Sequence, residues 1–296
     1  MIDPLILSHA GAGSPLVFAH ANGYPPDAYR TFLEPFLKDY QVEAIYLRPF
    51  WPGSDPDHLR DWRGFRDDYL EYLFSRMDQF QIDGSLPSSH KILGIGHSVG
   101  AMTTIMAAIQ RPEYFRLLVL IEPVLFTRAR GSLMRLIAPL NILRQVHPLI
   151  KGTLRRKRSF SDRDAMFENY RAKKIFQRLS DQVLGDYVDG LALDLPDGRV
   201  GLKYSPDWEA RIYETGGLAD WYVWKNLSRI SCPVLVIRGE LTDTLQPITS
   251  HNMVKKMVNG KGLTVPGAGH LLPLEKPYLT AEIILDYLQT DKSELF

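Results

Sequence analysis

A chain of 296 residues is long enough for a sizeable core, and that length favours one large domain with room for an insertion over a string of small ones. Its 45% hydrophobic and 23% charged residues exclude a disordered or fibrous protein, and 35 Lys and Arg against 34 Asp and Glu (net +1) exclude a global field that would gather nucleic acid or an anionic membrane. The single cysteine, Cys232, excludes an intrachain disulfide; no secretory pattern follows Met1, and no apolar run suits a spanning helix, so the expectation is a cytoplasmic protein without membrane insertion.

In chain order, short apolar runs alternate with longer helical patterns, which is the rhythm of parallel strands joined by crossover helices. The strand runs are Leu16 to Ala19, Val42 to Leu47, Ile92 to Ile95, Leu117 to Ile121, Val234 to Ile237 and Leu263 to Val265. Helices are expected at about Asp27 to Lys38, Trp62 to Phe80, Val99 to Gln110, Ile248 to Val258 and Leu274 to Leu288. From about Leu125 to Lys225 the rhythm stops: no buried-strand run appears, only helical and turn-rich sequence, too long for a connection. It reads as a mostly helical cap, residues 125–225, inserted into a core made of residues 1–124 and 226–296. Within it, Arg155-Arg156-Lys157-Arg158 reads as a solvated lid face and not as a nucleic-acid site, because no stacking aromatics are interleaved.

The strand Ile92 to Ile95 runs into Gly96-His97-Ser98-Val99-Gly100 and then a helix, which is Gly-x-Ser-x-Gly in the strand, turn and helix context that motif requires. A sharp turn would lift Ser98 above the sheet, and glycines on either side remove the collisions. The helix start directs N–H groups, Val99's among them, at a developing oxyanion. After Leu263-Thr264-Val265 comes Pro266-Gly267-Ala268-Gly269-His270, a flexible loop at a strand end, so His270 is the expected base for Ser98. The run ending in Arg238-Gly239-Glu240-Leu241-Thr242-Asp243 offers Asp243 as the acid that fixes the imidazole tautomer, with Glu240 and Glu122 as competitors. The early loop His20-Ala21-Asn22-Gly23-Tyr24 would supply a second oxyanion N–H.

With these motifs the chain resembles the α/β-hydrolase superfamily, in its capped esterase or proline-iminopeptidase-like branch, over nearly everything outside the proposed cap. The resemblance implies an α/β fold with a mostly parallel central sheet, helices on both faces and an inserted helical cap. It makes Ser98, Asp243 and His270 the triad and Asn22 the first oxyanion residue, although Ala21 stands in place of the family's glycine and Asp243 falls one residue later than the commonest spacing. It implies that no cofactor is needed, and no metal site is expected. Dehalogenases and epoxide hydrolases of the same fold carry aspartate at the nucleophile position, so Ser98 disfavours an alkyl-enzyme mechanism.

The chemistry expected is acyl transfer to water from a small or medium, largely apolar carboxylic ester or related acyl compound. Tyr24, Trp51 and Trp221 are candidate pocket residues. The rival readings are a ligand receptor that does not turn over, or a cofactor-free perhydrolase or C–C bond hydrolase using the same groups. Sequence alone is silent on oligomeric state and natural substrate.

Overall fold

The computed structural model describes residues 3, 5–6, 13–77, 91–140 and 142–293; the expected helix end at 78–80 lies outside them. Nine strands are named here in chain order among these residues. They are β1 Leu5–Ile6, β2 Ser14–Ala19, β3 Tyr40–Ile45, β4 Ile92–His97, β5 Phe115–Ile121, β6 Ala192–Asp194, β7 Val200–Leu202, β8 Val234–Gly239 and β9 Gly260–Val265. Seven form one sheet in the order β1-β3-β2-β4-β5-β8-β9, parallel throughout except for β1, which pairs antiparallel with β3 at the edge. All six residues of β4 and all six of β8 are buried, as expected where helices cover both faces and leave no polar side of the strand.

The register brings functional loops together. Ala19 lies opposite Gly96, Gly96 opposite Leu120, and Ile121 opposite Ile237, so β2, β4, β5 and β8 end side by side. The chain leaves β2 for β3 in one direction and enters β4 in the other. This order reversal puts the loops after β2 and β4 at the point where open α/β sheets open a crevice.

The helices of the core are α1 Arg30–Leu33, α2 Arg63–Ser75, α3 Val99–Gln110, α11 Pro247–Lys256, α12 Leu272–Glu275 and α13 Pro277–Ser293. The expected helix from Asp27 to Lys38 is instead a single α turn between two 3₁₀ turns, Pro26–Tyr29 and Glu34–Phe36. Pro35 has no N–H to give the preceding turn, which stops the ladder. Packing holds the segment where its own hydrogen bonds cannot: Phe32 is fully buried with ring centroids 5.9 Å from Phe18 and 5.7 Å from Phe36. Each such side chain contributes about 1.5–3 kcal/mol of burial.

Between β5 and β8 lie α4 Arg128–Ile137, α5 Ile142–Val146, α6 Pro148–Leu154, α7 Arg163–Arg171, α8 Asp181–Leu191, α9 Pro206–Thr215 and α10 Asp220–Asn226. This stretch was expected to lack strands, yet β6 and β7 pair into a separate antiparallel hairpin. Three residues per strand, with Leu193 and Asp194 exposed, give no buried run for a sequence pattern to reveal. Four of the helix starts are capped by side chains the sequence displays: Thr127, Asp162, Ser180 and Ser205 each accept an N–H three residues on. The segment is tied to the sheet body by Trp62 Nε1 donating to Ile212 O (3.1 Å), Trp208 Nε1 to Ser54 Oγ (3.0 Å) and Arg211 Nε to Leu59 O (3.0 Å).

Asp220 closes another join. Its buried carboxylate accepts the Phe126 N–H at 2.8 Å, and burial, against that hydrogen bond and the charge of Arg130, pushes its carboxyl up to about 7. Because the folded value lies above the ordinary 3.8, the folded chain holds the extra proton between about pH 4 and pH 7. The stabilisation from a neutral Asp220 is therefore complete below about pH 4 and lost as the pH rises through about 7. Asp220→Asn keeps an acceptor for Phe126 without the charge. It should match the parent at pH 4 and exceed its stability by about 1–3 kcal/mol at pH 8 in urea unfolding; an equal gain at both values would show that ionisation is not what the substitution relieves.

Candidate active site

Ser98 is the one residue between β4 and α3, and its backbone sits at φ 59° and ψ −119°, a region that L side chains rarely enter. Such a position costs on the order of 1–3 kcal/mol and persists only where the surroundings impose it. Here Ser98 N–H donates to Ile121 O at 2.9 Å, tying the turn to β5. A Cβ at Gly96 would lie 2.5 Å from Gly100 O, and one at Gly100 would lie 2.1 Å from Ala19 O. Both obstacles are backbone and cannot swing away, so the motif's glycines are steric necessities.

His270 ends the loop after β9. Its Nε2 lies 3.0 Å from Ser98 Oγ and its Nδ1 lies 3.1 Å from Glu122 Oε2. A carboxylate accepts at Nδ1–H, which leaves Nε2 as the acceptor for the serine hydroxyl. Glu122 is the first residue past β5, fully buried, with φ 51°. Its Oε1 accepts the Gly239 N–H at 2.6 Å and its Oε2 the Thr242 hydroxyl at 2.6 Å, so a charge with no solvent access has donors on both oxygens.

The expected acid, Asp243, does not reach the imidazole. Asp243 is exposed, and its carboxylate accepts from the neighbouring Thr244 hydroxyl at 3.2 Å. The turn after β8 meets the site with donors, the Gly239 N–H and the Thr242 hydroxyl, and the acceptor they need comes from β5 next door. Glu240 does not reach the imidazole either; its carboxylate accepts the Gly267 N–H at 2.9 Å and so braces the histidine loop.

Two other histidines hold the frame. His97 is wholly buried: its Nε2–H donates to His270 O at 2.8 Å, and its Nδ1 accepts from the Tyr29 hydroxyl at 2.8 Å. Tyr29 Oη in turn accepts the Ala21 N–H at 3.2 Å, so one relay joins the loop after β2 to the loop after β9 beneath Ser98. Burial, reinforced by the nearby His270, holds His97 well below the ordinary histidine range, which keeps it neutral as the relay requires. His20 donates from Nδ1 to Ala21 O and accepts the Leu47 N–H at Nε2; burial pulls it down to about 4. Tyr29 carried no sequence signal, since its partners are 8 and 68 residues distant.

The Ala21 N–H is thus occupied, which leaves that of Asn22 as the next donor along the loop. Val99 opens α3, so its N–H has no acceptor within the helix. The Asn22 side chain is held by residues of the segment between β5 and β8: Tyr204 donates its hydroxyl to Oδ1, and Nδ2 donates to Glu209 O at 3.3 Å. Glu209 is itself buried, takes Thr153 Oγ1 at 3.1 Å and pairs with Arg156 at 2.7 Å. Arg156 therefore departs from the expected solvated face of residues 155–158, because a buried carboxylate turns it inward.

The expected pocket residues separate. Tyr24 packs beside Tyr187 and Phe176, at centroid distances of 5.4 and 6.1 Å, two residues past Asn22. Trp51 commits its indole N–H to Tyr46 O at 2.7 Å. Trp221 is 42% exposed, carries Arg135 over its ring at 5.2 Å, and lines a cavity of about 470 Å³ whose wall includes neither Ser98 nor His270.

The profile of the alpha/beta hydrolase family matches residues 16–283, which include every group of this site. The chain belongs to the alpha/beta hydrolase family. Strigolactone esterase RMS3 of Pisum sativum is 32% identical over 124 residues, 41% of this chain and 43% of that protein, so the match spans less than half of the relative's length. Karrikin insensitive 2 receptor IA of Petunia hybrida is 21% identical over 281 residues, 93% of this chain and 90% of the relative. Among solved structures, E-2-(acetamidomethylene)succinate hydrolase superposes with a TM-score of 0.72 at 15% identity, covering 94% of this chain and 92% of its own. At that identity the likeness speaks for the fold.

Proposed function

We propose that this hydrolase is a serine enzyme that cleaves a small or medium, largely apolar carboxylic ester, or a related acyl compound, through an acyl-enzyme intermediate. The observation that carries the reading is the continuous chain from Ser98 Oγ to His270 Nε2, and from His270 Nδ1 to the buried Glu122 carboxylate. In the first half of the reaction His270 takes the Ser98 proton as the oxygen attacks the carbonyl carbon. Glu122 stabilises the imidazolium, and the N–H groups of Asn22 and Val99 receive the oxyanion. Collapse expels the alcohol, which takes the proton back from His270; a water deprotonated by the same imidazole then releases the acid. No cofactor enters these steps.

The segment between β5 and β8 acts in this reading as the cap, residues 125–225. Its Tyr204 and Glu209 set the Asn22 side chain, and its Phe176 and Tyr187 make an aromatic wall with Tyr24 beside the oxyanion loop. That wall favours an apolar acyl or alkoxy group; Trp51 and Trp221 are assigned lesser parts. Sustained turnover of an ester panel, with a fluorophosphonate adduct found by mass spectrometry on the Ser98 peptide and missing in Ser98→Ala, is the expected result. No adduct and no acyl product would defeat the reading, and one acylation without further turnover would favour a receptor.

A further inference from the structure

The near-neutral charge of the chain conceals a strong asymmetry. Between Glu122 and Asp162 there is no acidic residue, while nine Lys and Arg fall in the same stretch, so the remainder of the chain is net acidic. Most of that basic run is α4, α5 and α6. Arg128, Arg130, Arg135, Lys151 and Arg155 form no ion pair among the described residues, although the charge of Arg130 reaches the buried Asp220.

The same three helices leave a large apolar surface bare. Leu133, Leu136, Leu140, Ile142, Val146 and Leu149 are all exposed, Leu136 by 75%. Leu133, Leu136 and Leu140 stand at i, i+3 and i+7, one stripe of α4 and the turn that follows it. The inward stripe is different: Met134 packs against the small cluster of Leu143, Ile150 and Ala210, which seats α4 to α6 on α9. These helices are thus apolar on two sides, and only the inner side has a partner.

We infer that the outer face of α4 to α6 docks on an anionic lipid surface, lying in its plane with the leucine stripe in the acyl boundary and the unpaired basic residues at the headgroups. Aliphatic side chains within a cationic rim are the pattern of an interfacial helix, and arginine stems can lay their methylenes along the boundary while the guanidinium stays wet. Charge complementarity selects this occupant. A second copy would bring five unpaired cations against five, and nucleic acid offers no environment for six aliphatic side chains. None of the helices is long and apolar enough to span a membrane among the described residues, so contact is peripheral. Docking does not depend on the proposed ester chemistry and is read without it.

The test is flotation of the purified full chain with phosphatidylcholine vesicles, with and without phosphatidylglycerol. Binding is expected to rise at least tenfold, roughly, with the anionic lipid and to fall as salt is raised. Leu133→Ser with Leu136→Ser, and separately Lys151→Gln with Arg155→Gln, should each weaken binding about tenfold. Both pairs are exposed, so thermal unfolding should be unchanged. Failure of the parent chain to float, equal binding to neutral vesicles, or undiminished binding by the serine pair overturns the inference in favour of a protein partner. A leucine-dependent dimer in sedimentation velocity overturns it as well.

Discussion

Ser98→Gly and Ser98→Ala should lose turnover equally, by about 10⁵ or more, yet the glycine variant should be the more stable of the two by about 1–2 kcal/mol. Both remove the hydroxyl that faces His270 Nε2 at 3.0 Å, so any difference between them belongs to the backbone. At an ordinary position glycine is the worse choice by about 0.5–1 kcal/mol, because it surrenders more freedom on folding. At φ 59° and ψ −119° the order inverts, since a Cβ there carries the strain and glycine carries none. Urea unfolding of the pair reads the stored strain directly. An alanine variant as stable as glycine would mean that the turn relaxes without cost; retained turnover in either would remove Ser98 from the chemistry.

Ser98 and His270 were legible because each is announced by its own neighbours: glycines at two residues on either side of one, a strand-end glycine loop before the other. Five of the six parallel strands were legible for a similar reason, since a strand buried on both faces writes a continuous apolar run, whereas β9 is exposed along most of its length and showed only its last three residues. What a local pattern cannot carry is lateral order. Glu122 and Asp243 both follow buried strands, and only the pairing of β5 between β4 and β8 decides which carboxylate lies under the imidazole. The same limit hid Tyr29, whose hydroxyl joins Ala21 to His97, and Arg156, which belongs to a basic run by sequence and to Glu209 by contact. Strands β1, β6 and β7 escaped for want of length, at two or three residues each. Helix α1 was overextended because the apolar spacing persists through Pro35 while the hydrogen-bond ladder does not.

Glu122→Gln should lower kcat by about 10³–10⁴, a loss of about 4–5.5 kcal/mol, while Asp243→Asn should stay within about twofold of the parent. The amide has one oxygen where the carboxylate has two, and three donors compete for it: the Gly239 N–H, the Thr242 hydroxyl and His270 Nδ1–H. If the oxygen stays with Gly239, the NH₂ group faces His270 and draws the proton off Nδ1. The imidazole then carries its hydrogen on Nε2 and cannot accept from Ser98. If the oxygen turns to His270, it keeps the Thr242 hydroxyl as well, and the buried Gly239 N–H faces the NH₂ group, donor against donor, at a cost of about 1–3 kcal/mol. Rate and stability measured on the same protein separate these two outcomes. Asp243 meets neither His270 nor Glu122 in this conformation, and neutralising an exposed carboxylate leaves the imidazole tautomer untouched. The reverse ranking, with Asp243→Asn the crippled variant, would require the turn after β8 to swing inward and displace Glu122 from His270 during the reaction.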